Sequence, residues 1–150
     1  MNYVQTLAYL FPNLNPPFDY SVGINESGEQ YISAWNVEDP AQPTEETLTA
    51  TSDKAAAHFE QLVLVGVVQS IMDAKAQSYH YDNLTTAVTY ADEPAVPKFQ
   101  QEGQAFRAWR SQVWATAYSI LADVQAGSRT FPTVSEVPGL LPAFPLDPAA

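Results

Sequence analysis

Apolar positions recur at helical spacing along most of the chain and alternate at strand spacing in one short region. In residues 2–11, Val4, Leu7, Ala8 and Phe11 lie three and four apart. That period lines one face of a helix, with Asn2 placed to cap it and Pro12 to stop it. Phe18–Ile24 and Gln30–Trp35 are β-prone runs around Asn25-Glu26-Ser27-Gly28, which predicts a hairpin with Gly28 at positive φ. The second run alternates, with Tyr31, Ser33 and Trp35 on one face and Ile32 and Ala34 on the other. A hairpin alone is marginal in water, so a helix or a partner chain must cover it.

Beyond Pro43 the pattern is helical. Thr44 caps a short helix through Ala50, with Glu45 and Glu46 at the positive end of its dipole. Thr51 or Ser52 then caps a longer helix to about Ser78. Its middle, Leu62-Val63-Leu64-Val65-Gly66-Val67-Val68, is apolar all round. Such a segment must be covered on every side, which predicts oligomerisation or a partner. Asp82 caps a short helix through Tyr90 that Pro94 ends. A last helix over 98–126 carries a stripe of Phe99, Phe106, Trp109, Val113, Ala117, Ile120 and Val124, widened by Trp114, Tyr118 and Leu121. Gly127 is its natural stop. Two further glycines fall inside helices: Gly66 lets another helix approach closely, and Gly103 marks an entry bend.

The fold expected is α+β: a short N-terminal helix and β-hairpin (1–43), an antiparallel helical hairpin or small bundle (44–127), and a Pro-rich extended tail (128–150), docked on a neighbour or mobile.

Charge narrows the function. The 150 residues carry a formal net charge of −11, and no Lys or Arg precedes Lys54. Phosphate affinity comes from clustered bases, so no nucleic-acid partner is expected. No uninterrupted apolar run reaches the roughly 18 residues that span a bilayer, and no membrane partner is expected either. Met1–Phe11 has no basic residue, so a secretory signal is not expected and synthesis is assigned to the cytoplasm.

Catalytic signals are weak. The chain has no cysteine and two histidines, His58 and His80, 22 positions apart without a metal-ligand spacing. No cofactor or metal is expected. Glu45, Glu46, Asp73 and Asp92 could supply a hydrolase pair, yet nothing in their spacing selects two that would share an apolar pocket. Gly-x-Ser-x-Gly and Gly-rich phosphate loops are absent. The all-round apolar segment makes Leu62, Val65 and Val68 expected partner-binding residues, and the enrichment of Trp, Tyr and Arg in binding hot spots adds the cluster Phe106, Trp109, Arg110, Val113 and Trp114. For Phe106 and Trp109 the competing reading is helix core.

Several motifs resemble a known group. Leu7-Ala8-Tyr9-Leu10-Phe11-Pro12, the Phe18–Val22 run with Gly28 and Tyr31-Ile32-x-x-Trp35-Asn36, and Gln42-Pro43-Thr44-x-x-x-Leu48 are three of them. Tyr81-Asp82-x-x-x-x-Ala87-x-x-Tyr90 is a fourth, with His80 where the usual pattern has glycine and Thr89 where it has serine. Glu102-Gly103-Gln104-Ala105-x-x-x-Trp109-Arg110-x-x-Val113-Trp114 and Ala126-Gly127-x-Arg129-x-x-Pro132-Thr133-Val134 complete the set. Together they resemble small proteins encoded beside the tail-fibre and baseplate genes of tailed bacteriophages and prophages. The resemblance implies a non-enzymatic protein that binds a tail-fibre or baseplate protein, as a homo- or hetero-oligomer. It would sit in the virion tail as an accessory subunit, or act in the host cytoplasm as an assembly chaperone. The rivals are a fibre-associated glycan hydrolase using paired carboxylates and a host-directed inhibitor that mimics DNA.

Overall fold

The structure is a computed structural model that describes residues 1–147. The protein is mixed α+β, mostly helical. Helix α1 (Tyr3–Leu10) leads into strands β1 (Tyr20–Ile24) and β2 (Gln30–Trp35). Helices α2 (Glu45–Ser78) and α3 (Leu84–Thr89), a 3-10 turn (Tyr90–Asp92), α4 (Pro97–Gln125) and the one-turn α5 (Val137–Leu140) follow. The chain forms two compact units, one of residues 1–62 and one beginning at Val63; α2 contributes to both.

In the first unit, Asn2 caps α1 by accepting from the Gln5 amide. The hairpin turn closes on the Asn25 side chain, which accepts from the Ser27 and Glu29 amides, both at 2.9 Å, with Gly28 at φ 82°. Tyr3, Leu7, Tyr20 and Leu48 form the buried core. The predicted alternation of β2 holds only up to a bulge. Val22 pairs with Ile32 but Ser21 pairs with Ala34, so Ser33 is an extra residue. One inserted residue reverses which face the following side chains take. Trp35 therefore shares the inner face with Ile32, stacked on Tyr20 at 5.9 Å, while Tyr31 and Ser33 face out. This unit runs past residue 43, because Leu48 of α2 is part of its core.

The break expected between helices at residues 50–52 does not occur, and α2 is continuous. Ser52 Oγ donates to the Thr49 carbonyl one turn back, so its hydroxyl is used inside the helix and caps nothing. At the other end of α2 the Tyr81 amide reaches the Ala76 carbonyl and the His80 amide reaches Gln77. This is a Schellman stop with His80 at φ 71° in the position glycine favours. Asn83, not Asp82, caps α3 by accepting from the Thr86 amide at 3.0 Å. Asp73 supports the same turn from α2 by accepting from the Leu84 amide at 2.9 Å.

The core of the second unit joins Val68, Met72 and Ala76 of α2, Leu84 and Ala87 of α3, and Phe106, Trp109 and Val113 of α4. Val137 and Phe144 belong to it as well, so the described part of the expected tail contains the one-turn α5 and packs on the protein's own core, while residues 148–150 lie outside the described residues. A turn at Thr133–Glu136 precedes α5, the Thr133 amide and hydroxyl both donating to the Glu136 carboxylate at 2.7 Å. Gly103 is not a bend. It lets α4 lie directly against the backbone of Tyr90 and Ala91, where a Cβ would come within 2.4 Å of the Ala91 nitrogen.

Candidate functional site

The residues expected to meet a partner divide into three groups. Val68, Phe106, Trp109 and Val113 are buried in the core of the second unit. The protein's own α3 and C-terminal segment already cover them, which removes them from any open surface. Arg110 and Trp114 are half-buried on α4, and the Trp114 ring lies 6.0 Å from that of Tyr118, itself 65% exposed. Leu62 and Val65 stay open, at 51% and 42% exposure, with Val63 between them at 55%. Gly66 follows in open space with no neighbour to explain it.

This stretch of α2 is the feature most at odds with an isolated molecule. Single exposed apolar residues are ordinary, but consecutive branched ones on a helix cost stability unless something covers them. From Gln61 to Met72 the helix carries no charged residue at all. By length and composition α2 is the one helix among the described residues apolar enough to cross a membrane, with an 18-residue stretch averaging hydropathy 1.3. The same helix supplies Val68, Met72 and Ala76 to a protein core, as core helices do.

The carboxylates weighed for acid–base chemistry are held apart. Glu45 accepts from the Tyr3 hydroxyl, at the edge of an open cleft of about 500 Å³ beside Tyr31 and Gln42. Asp73 serves the α3 turn, and Asp92 forms a bidentate pair with Arg107, the shorter contact 2.5 Å. None of these bonds brings two of them together. That ion pair uses Arg107, one turn before the Arg110 singled out from the sequence.

A further pair was not foreseen. Glu102 is buried on α4, accepts from the Tyr81 hydroxyl at 2.7 Å and lies 3.7 Å from Lys98. Burial, then the bond to Glu102, holds the Tyr81 phenol well above its ordinary value. Likewise the bond to Glu45, with burial second, raises Tyr3. In both, a neutral phenol donates to a carboxylate, an arrangement that pins α1 to the start of α2 and the α2–α3 turn to α4.

Comparison with known proteins supports a bacteriophage protein. Residues 3–60 match the model of a phage-associated family described as XkdW protein. The matched region is α1, the hairpin and the first part of α2, close to the bounds of the first compact unit. No curated protein and no solved structure matches the chain.

Proposed function

We propose that the protein is a non-enzymatic tail protein that binds a tail-fibre or baseplate protein, as an accessory subunit of the virion or as an assembly chaperone. The observation that carries this reading is the uncovered, uncharged run of α2 at Leu62, Val63 and Val65. The phage-associated match over residues 3–60 supplies the setting. A protein surface is the natural cover. Val68, Met72 and Ala76, immediately C-terminal to the exposed run, are already packed in a protein core, so protein packing continues naturally along this helix. The net charge of −11 disfavours self-association at long range and steers a basic partner towards the protein.

Mass spectrometry of purified particles, with co-purification of the neighbouring fibre product, tests the reading. A fixed copy number in the particle makes the protein a subunit; capture by the fibre without incorporation makes it a chaperone. Absence from both overturns the proposal.

A further inference from the structure

The C-terminal segment lies on the second unit as a ligand lies in a groove. The Phe144 ring stacks on Phe106 at 4.3 Å and meets Trp109 and Tyr79 edge-on, each at 5.2 Å. Trp109 Nε1 donates to the Pro142 carbonyl at 2.7 Å. Lys75 Nζ lies 2.7 Å from Asp147 Oδ2, and the Tyr79 hydroxyl donates to Oδ1 at 3.4 Å. Pro142 and Pro145 stand two before and one after Phe144. Aromatic walls with an indole N–H aimed at a proline carbonyl are the parts by which proline-rich segments are recognised, since such segments lose little entropy on binding.

The segment is held to the helices it covers by apolar packing and few polar ties. Its only polar bonds to α2, the turn that follows it and α4 among the described residues are the three just given. Its backbone bonds are local, from Gly139 to Glu136 and from Asp147 to Phe144. The ion pair is about one-third exposed on each side and contributes little. The connection from α4 opens at Gly127, at φ 71°, and runs through mostly exposed residues to Glu136.

We propose that Tyr79, Phe106, Trp109 and Lys75 form a peptide-docking groove, filled in cis by Pro142–Asp147. In exchange it accepts a segment of the same chemistry from another protein: a proline-flanked phenylalanine with an acidic residue three positions later. The charge pattern fits one orientation, because Lys75 is the groove's cation and sits at the acidic end of the segment. Such an exchange uses a surface distinct from Leu62–Val65 and does not depend on the reading above.

The test uses the full chain and a fluorescein-labelled peptide of the sequence Gly139–Asp147. Phe144→Ala leaves the groove without its own phenylalanine, so it should bind the peptide at least tenfold more tightly than the wild type does. Adding Lys75→Ala should weaken that binding. A folded Phe144→Ala chain that binds no better than wild type overturns the proposal. If that variant does not fold, hydrogen exchange of the wild type decides. The Trp109 indole N–H should exchange at least a hundredfold faster than the Phe106–Val113 amides after correction for intrinsic rates, because the segment leaves without global unfolding. Equal rates overturn it. Dimerisation of the wild type that Phe144→Ala abolishes would give the groove to a second copy and also overturn it.

Discussion

Gly103→Ala tests the packing of the second unit most severely. A methyl group at this position would stand 2.4 Å from the Ala91 nitrogen, 2.6 Å from the Tyr90 carbonyl carbon and 2.9 Å from the Ala91 Cα. All three atoms are backbone, so no rotamer change relieves the overlap. The 3-10 turn and α4 must part by about 1 Å to restore ordinary contact. That parting strains what ties them together: the Gln104 side chain on the Ala91 carbonyl at 3.2 Å, and the Arg107–Asp92 pair. Overpacking of this kind costs roughly 1–3 kcal/mol, and a loosened hydrogen bond adds about 1 kcal/mol. The better helix propensity of alanine returns about 1 kcal/mol. The net loss is then about 1–3 kcal/mol. In a chain of this size it lowers Tm by roughly 2–12 °C. Near-UV circular dichroism of Trp109 and Trp114, both in the second unit, follows the melt. An unchanged or raised Tm would show that α4 does not lie against Tyr90–Ala91, and the reading of Gly103 would fail.

Other substitutions have different signs. Gly66→Ala adds its methyl to open space on α2, so it should raise the stability of the isolated protein by about 1 kcal/mol in a urea titration. His80→Gly, at φ 71° in the turn after α2, should stabilise by ~0.5–1 kcal/mol, since only glycine takes that conformation freely; a destabilised variant would contradict the turn. Tyr81, raised in the folded state by burial and by Glu102, keeps its proton where the unfolded chain ionises. Its contribution is therefore present below pH 10 and is lost as pH rises further. Tyr81→Phe should show a shallower alkaline loss of stability, and an identical slope would refute the linkage.

Local signals in the sequence were legible where one residue decides the outcome. Asn2 caps α1, Gly28 closes the hairpin at positive φ, Gly127 stops α4 at φ 71°, and for Phe106 and Trp109 the core reading that competed with partner binding is the one observed. What was not legible depends on a distant neighbour. Ser52 looks like a cap but bonds within the helix. The Ser33 bulge changes the face of Trp35 without any glycine to announce it. Gly103 reads as a bend until Tyr90–Ala91 is placed across it. The C-terminal segment did carry a readable sign, since Thr133-x-x-Glu136 has the spacing of a capping box, but its prolines read as an extended tail. As for the candidate site, the all-round apolar centre of α2 pointed to Leu62 and Val65, yet four of the eight expected contact residues are spent on the protein's own core.

That uncovered run bears the whole functional account, and titration of the purified fibre product into the full-length protein tests it directly. Leu62→Asp with Val65→Asp places two charges where apolar contact is proposed, at exposed positions where the fold tolerates them. Each lost contact is about 1 kcal/mol for a half-exposed side chain, and desolvating each unpaired carboxylate adds at least as much. Calorimetry should show wild-type binding weakened at least a hundredfold in the double variant, with far-UV circular dichroism unchanged. Equal affinity of the two proteins for the fibre, or no binding by the wild type, would contradict it.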